Sequence, residues 1–493
     1  MKNTLVSRTT LQLFGFTFLV SALAYGFPLT HFNITIDGES PIYRDFAMSL
    51  GRWGLNLIRY HVFEGYAPYF TLLLGLALTS TAAVRLAQMF SFSGLYAYLF
   101  CAIFATVPQW AYQLVFMVQA DAVPLALLLT VACVDFYLNA RGKPMTKAAL
   151  YYAGSAISLL FALSVYQAVI IIPPIIYLCY LLRFAANNLD QLKAQIISGL
   201  GLLGVLAVAF GLYTLSVKVF CPNVESGYLS SYVGQETQNQ WRDFFTRLTD
   251  LWWGKLYYGN KFFVFTTLAA LGIIIYSAIG KKMALWKILL VLALMVLPFS
   301  ISFVITNGYH PPRLYLTTGL VSAFLIVHFA QTLHLRHSAT LVVVFLAGSG
   351  IYFISKLYHS SYQVGLYDQE ILRRIDTALR IKYPDFDQKI HPVYFHGGLP
   401  FSDANHLRLP ESEIFGGSFL NWDNGANYRI ICFAKANGIS NYKMVEQKDW
   451  AKIKDSIAPL PVWPNTGAIR FINGVAVVKL GQEPGAPLPF DAN

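Results

Sequence analysis

Charge is what this chain of 493 residues has least of: Asp, Glu, Lys and Arg together make up 12% of it, about half the share in an ordinary soluble domain. With 56% hydrophobic residues and a mean hydropathy of +0.50, it carries more apolar surface than one soluble core can hide. Nucleotide signatures are missing as well. There is no GxxxxGK[ST], no GxGxxG after a strand and no His-rich metal spacing, which argues against a nucleotide-driven pump and against a nucleotide-sugar donor held by a Rossmann-type domain. The five cysteines form no CxxC and no pairing with His, so no zinc or redox motif is recognisable. Cys101, Cys133 and Cys179 fall in apolar runs, where a small buried thiol is the default. Cys221 and Cys432 lie in polar segments, and an oxidising compartment would permit a disulfide between them.

What is present is a series of apolar runs. A spanning helix needs about 20 apolar residues, and eleven runs of that kind lie near residues 10–30, 67–86, 92–108, 118–138, 148–163, 166–183, 196–220, 261–279, 284–305, 313–333 and 339–356. The first follows Lys2 and Arg8, is long for a signal peptide and lacks a small-residue cleavage site, so it reads as a retained anchor. The net charge of +11 sits mostly in alternate short connections: Arg85; Arg141, Lys143 and Lys147; Arg183 and Lys193; Lys281, Lys282 and Lys287; Arg336. The intervening connections 107–111 and 306–312 are nearly free of Lys and Arg. The positive-inside rule accounts for this charge without nucleic acid, and it places the N-terminus in the cytoplasm. The expected architecture is an α-helical polytopic membrane protein of about eleven transmembrane helices. Its membrane domain is 1–357, with outer loops 31–66 and 221–260, and a small α/β domain, 358–493, lies on the outer side.

Chemistry on a polar substrate is then expected in the outer segments. Asp37 and Glu39 stand on either side of Gly38 just after the first span. A carboxylate there can take a proton from a hydroxyl or ligate a metal; it also suits capping of a helix that starts at Pro41, as Ser40 does. The stretch 41–64 alternates apolar Ile42, Phe46, Leu50, Trp53 and Leu57 with Arg44, Asp45, Ser49, Arg52, Asn56 and Arg59, which predicts one amphipathic helix in the membrane interface. Between 221 and 260 come Trp241, Arg242, Trp252, Trp253, Lys255, Tyr257 and Tyr258, an aromatic belt in which a cation can hold a lipid phosphate. Arg313 follows His310, Pro311 and Pro312 at the outer end of a span. Asp121 begins another span, and Tyr166 with Gln167 marks a tight outer turn. An ionisable residue in a span invites a functional reading, which weakens if it sits at the surface.

Past the last span the pattern predicts a helix over 367–381, a strand over 391–396, helices over 426–436 and 446–457, and a hairpin over 471–478 turning on Asn473 and Gly474. Gly416, Gly417 and the many aromatics suit a loop-built sugar surface as well as a loop-rich core.

Ile36, Asp37, Gly38 and Glu39, then Gly51, Arg52 and Trp53, then Tyr166 with Gln167, and late Pro312 with Arg313, share one order and one side. In this the chain resembles the polyprenyl-phosphate-sugar-dependent GT-C glycosyltransferases, and within them the serotype-converting O-antigen glucosyltransferases of the Gtr type. The resemblance implies transfer of glucose from undecaprenyl-phosphate-glucose to a sugar of the O-antigen repeat, in the periplasm of a Gram-negative cell. It implies a multi-pass protein of the bacterial inner membrane with a periplasmic C-terminal domain, served by a companion synthase and flippase for the lipid-linked glucose. It assigns the acidic outer-loop role to Glu39 with Asp37 beside it, and matches Phe415, Cys432 and Lys479 to the family's sensitive C-terminal positions.

The mechanism expected is an inverting displacement in which Glu39 or Asp37 takes the acceptor proton, while cations, in the order Arg313, Arg52 and Lys255, hold the donor phosphate. Tyr166, Gln167 and Asp121 are further candidates for binding. No cofactor is expected; a divalent metal at Asp37 and Glu39 is the less favoured variant. The rivals are a transporter or flippase for a lipid-linked sugar, set back by the lack of a clear internal repeat and of mid-span charges, a scaffold for polysaccharide assembly, and a related enzyme using lipid-phosphate aminoarabinose or mannose.

Overall fold

The computed structural model describes residues 7–39, 46–221, 240–280, 283–303, 310–401, 408–409 and 412–486. Ser40, the start of the helix expected at Pro41, residues 222–239 and most of the connection 306–312 lie outside the described residues. The chain divides into two compact units: residues Met1–Thr30 with Tyr43–Ser355, and residues His31–Ile42 with Lys356–Asn493. Residues 31–42, with the acidic turn, thus cluster with the C-terminal residues, and residues 43–66 with the helical unit.

The first unit is helical throughout its described residues, and every apolar run seen in the sequence coincides with a helix. Among the described residues seven helices are long and apolar enough to cross a membrane: Pro68–Met89, Met117–Ala140, Met145–Val165, Leu189–Phe220, Asn260–Gly280, Ala284–Phe303 and Arg336–Lys382. Leu95–Thr106, Gln167–Arg183 and Thr317–Thr332 are shorter apolar helices, and Arg8–Ala24 opens the chain. These helices stay apolar on their outer faces. Along Leu189–Phe220, Ile197, Leu200, Val208 and Leu215 are all exposed, an apolar surface that water would not tolerate and hydrocarbon would. Proline sets several breaks: Leu95–Thr106 stops where Val107 turns extended ahead of Pro108, which starts the short helix Pro108–Leu114.

The continuous amphipathic helix expected over 41–64 does not form among the described residues. Helix Phe46–Ser49 ends, Gly51 adopts φ 73°, and the chain resumes as helix Trp53–Asn56 and a π-helical stretch Leu57–Val62. Only glycine enters that left-handed conformation without cost. The break turns the arginines inward. Arg59, placed by periodicity on the polar face, is 1% exposed. Its Nε donates to the Val118 carbonyl at 2.8 Å, one Nη to the Gly65 carbonyl at 2.7 Å, and the other Nη to Asp121. A helix periodicity cannot foresee this, because the carboxylate and carbonyls that satisfy Arg59 come from elsewhere in the chain.

The second unit has a four-stranded sheet in the order β2-β1-β4-β3, with β1 Pro392–His396, β2 Lys443–Met444, β3 Ile469–Ile472 and β4 Val475–Lys479. β1 runs parallel to β2 and β4, and β3 is antiparallel to β4. The expected hairpin is there: Ile472 pairs with Val475 across Asn473 and Gly474, both at positive φ, as a type I′ turn requires. β1 and β4 are buried at every position, so they occupy the middle of the sheet. Tyr394, Val475 and Val477 pack on Ile453 and Ile457 of helix Gln447–Ile457, with Trp450 alongside. Helix Asn427–Ala436 packs against β1, where the Asn427 side chain accepts the Phe395 amide at 2.8 Å. All five cysteines are free and buried, so the disulfide the compartment would permit between Cys221 and Cys432 is not formed.

Candidate functional site

In the second unit residues 31–39 lie along the helix Arg336–Lys382. Asn33 donates to the Ser361 carbonyl at 2.8 Å and its hydroxyl at 3.2 Å, and His31 sets its ring edge-on to Tyr362 at 5.4 Å. Gly365 makes this approach possible, since a Cβ there would stand 2.0 Å from the Asn33 side-chain oxygen. Ile34 and Ile36 are buried. The chain then turns, with the Gly38 amide on the Thr35 carbonyl at 2.8 Å and Asp37 at φ 69°. Asp is among the few residues that accept that conformation.

The turn delivers both carboxylates to one arginine. An Nη of Arg429 donates to Glu39 Oε1 at 2.6 Å and to Asp37 Oδ1 at 3.0 Å, while its Nε donates to Asp423 at 2.8 Å. Three carboxylates therefore share one guanidinium, whose side chain is 13% exposed; those of Asp37 and Glu39 are 50% and 1% exposed. Glu39 Oε2 has no hydrogen-bond partner among the described residues. Burial pushes Glu39 up to about 7 against the pull of Arg429, and Asp37 adds to the rise. Burial also works against the Arg429 cation, but Asp37, Glu39 and the other acidic groups around it hold its pKa above the usual arginine range.

A carboxyl that titrates near neutrality, with one oxygen uncommitted, is equipped to accept a proton. The Arg429 guanidinium already bridges Asp37 and Glu39, which fills with a fixed cation the place a divalent ion would take between them. Among the described residues no group of three or more His, Cys, Asp or Glu side chains is arranged to hold a metal.

The other C-terminal candidates fall in different places. Cys432 sits one helical turn beyond Arg429 and close enough to feel the charge of Glu39; burial pushes its thiol up to about 11, so it stays protonated. Phe415 is fully buried, edge-on to Tyr358 at 5.1 Å, and its carbonyl accepts the Ser360 hydroxyl at 2.9 Å. Lys479 is buried on β4 and donates to the Ala458 carbonyl at 2.8 Å, a contact that caps the helix Gln447–Ile457. Phe415 and Lys479 thus anchor segments of the fold. So does Asp368, which sequence reasoning passed over: fully buried, it accepts the Ser418 hydroxyl at 2.6 Å and the Phe419 amide at 2.7 Å.

In the first unit the structure joins three of the expected residues. Arg52 Nε donates to Gln167 Oε1 at 3.0 Å and its guanidinium lies over the Tyr166 ring at 4.9 Å. The Gln167 amide in turn donates to the Leu50 carbonyl at 2.6 Å and to the Tyr213 hydroxyl at 2.9 Å. Asp121 pairs with Arg59. Arg313, on the short helix Pro312–Tyr315, stacks over Phe116 at 4.7 Å. Beside it burial holds His310 down to about 4, so the neutral ring shares a hydrogen bond with Tyr315 at 3.1 Å. Lys255 is exposed just past the helix Gln240–Trp252.

Arg429 is a cation that the sequence did not single out, and Arg59 is one that its periodicity placed on a polar face. For Arg429 the signal was faint: a lone arginine among Ile430, Ile431 and Phe433 on a helix whose residues are otherwise mostly buried.

Residues 26–328 match the family model described as Glucosyl transferase GtrII. Neither the curated proteins nor the solved structures give a match.

Proposed function

This chain belongs to the GtrII glucosyl transferase family and is a glycosyltransferase, and on that premise we propose that it moves glucose from a lipid-phosphate carrier to a hydroxyl of a surface-polysaccharide repeat, with inversion at the anomeric carbon. The donor is undecaprenyl-phosphate-glucose and the acceptor a sugar of the O-antigen. The protein crosses the bacterial inner membrane about eleven times, and the reaction runs at its periplasmic side. The family match supports glucosyl transfer, and the apolar outer faces of the helices support a membrane setting in which a lipid-borne donor is at hand.

The observation that carries the chemistry is the acidic turn on Arg429. Glu39 is the base: as the acceptor oxygen attacks the anomeric carbon its proton passes to Glu39 Oε2, and the bond from carbon to the phosphate oxygen breaks, leaving the lipid phosphate. A phosphate is a fair leaving group without a general acid, so one base and cations on the phosphate suffice. Arg313, Arg52 and Lys255 remain the candidates for the phosphate. Arg429 is a positioning residue that fixes Glu39 and lowers the cost of its ionisation. The enzyme needs no cofactor.

The test uses purified protein with lipid-phosphate-glucose and acceptor. Glu39→Gln should cut turnover by about 10²- to 10⁴-fold, the usual contribution of a general base. In the unaltered enzyme the rate should fall tenfold per pH unit below about 7, where the raised Glu39 becomes protonated. Full activity of the variant, or a rate flat from pH 5 to 8, removes Glu39 from the role. Lipid-phosphate mannose and aminoarabinose serve as competing donors; a preference for either overturns the choice of glucose. One observation favours a second reading: Asp37 is the more exposed of the pair, so Asp37 would be the base with Glu39 behind it.

A further inference from the structure

At the end of the helical unit that carries the basic connections, a cavity of about 820 Å³ opens between helices Ile172–Arg183, Leu189–Phe220, Ala284–Val296 and Thr317–Thr332. That is the size of a small-molecule site. Its wall carries Arg141, Arg183 and Lys287, and no carboxylate. None of these cations forms an ion pair with a described residue. Positive residues at cytoplasmic span ends are ordinary, but they ordinarily fan out toward solvent. Here they converge on a concave surface.

Two further features make the surface a built one. His328 lines the same wall at 8% exposure, stacked on Phe324 at 5.3 Å, and its Nδ1 has no hydrogen-bond partner among the described residues. A buried polar atom without a partner, on a residue that lines a cavity, calls for a partner from outside the chain. The wall is also fixed in advance: the Gln195 side chain accepts the Trp286 indole at 2.9 Å and donates to the Phe184 carbonyl at 2.7 Å, and Arg183 Nε is held by the Phe90 carbonyl at 2.9 Å. Three like charges around one concavity repel each other until an anion enters, and next to hydrocarbon that repulsion is weakly screened.

We propose that this cavity binds a phosphate group, as the headgroup of an anionic lipid or as a free phosphate. Arg141, Arg183 and Lys287 supply the charge, His328 a hydrogen bond, and Leu181, Leu182 and Ile273 an apolar wall suited to a lipid tail. The proposal does not depend on the reading of Glu39.

The test takes the full chain in neutral detergent and in phosphatidylcholine nanodiscs, adding phosphatidylglycerol in one arm and inorganic phosphate in the other. Bound lipid is counted by native mass spectrometry and stabilisation by the melting temperature. Phosphatidylglycerol should bind and raise the melting temperature, and Arg141→Gln with Lys287→Gln should weaken it about 25-fold, at roughly fivefold per cation removed. A matching response to inorganic phosphate alone would assign the site to a soluble anion. Retention of phosphatidylglycerol by the double variant at wild-type strength, or no response to either probe, overturns the proposal. Should the double variant fail to fold, Arg141→Gln and Lys287→Gln are read singly, each with its own fivefold loss.

Discussion

Two buried arginines, one in each unit, are solvated by the protein in opposite ways. Arg59 faces one carboxylate, Asp121, and two backbone carbonyls; Arg429 faces Asp37, Glu39 and Asp423. In the first case charge is matched one to one and the pair is 1% and 2% exposed. In the second, negative charge is in excess, and one carboxyl, Glu39, has its pKa pushed up to about 7. A matched pair fastens. It ties the π-helical stretch Leu57–Val62 to the start of the span Met117–Ala140. An unmatched cluster keeps a group that changes its protonation under physiological conditions, which is what proton transfer needs.

The largest effect should come from breaking the matched pair. Arg59→Ala leaves Asp121 buried without its cation, and an uncompensated buried charge costs about 3 to 5 kcal/mol. Denaturation of the solubilised protein would measure it, and any activity that survives should keep the wild-type pH profile. A variant as stable as wild type would mean that the Arg59 contact is not what fastens this region.

Breaking the unmatched cluster should act on pH. Arg429→Gln removes the cation that opposes the rise of Glu39, so the acidic limb of the rate profile should move to higher pH, by roughly 1 to 3 units for a lost opposite charge. Arg429→Lys should restore part of the position. A lower rate with an unmoved limb would make Arg429 a packing residue.

The contrast also explains how much was legible beforehand. Apolar length gave the helices, and the Asn473 and Gly474 pair gave the hairpin, because both are local: hydrophobic run and turn chemistry act within a few residues. The acidic turn was likewise visible, since Asp37 and Glu39 are sequence neighbours. Arg429 was not, because its meaning comes from partners 392 and 390 positions away. The stretch 41–64 misled for the same reason. Its periodicity was real, but Gly51 broke the helix, and Asp121 and Gln167 drew Arg59 and Arg52 inward. Phe415 and Lys479, matched by resemblance, turn out to hold the Ser360 hydroxyl and the Ala458 carbonyl, contacts no pattern in the sequence encodes.

The finest distinction lies within the cluster itself. Asp37 and Glu39 share one Nη of Arg429 but differ in exposure, 50% against 1%. The Asp37 charge raises the Glu39 pKa, though less than burial does, and at half exposure its influence is screened by water and salt. Asp37→Asn should therefore lower the Glu39 pKa slightly and move the acidic limb down by less than about one unit, leaving the rate at high pH within about threefold of wild type. That outcome keeps Glu39 as the proton acceptor and Asp37 as the neighbour that tunes it. A fall of about 10²-fold or more across the whole pH range would reverse the roles: the exposed carboxylate would be the base, and buried Glu39 the charge that holds Arg429 in place.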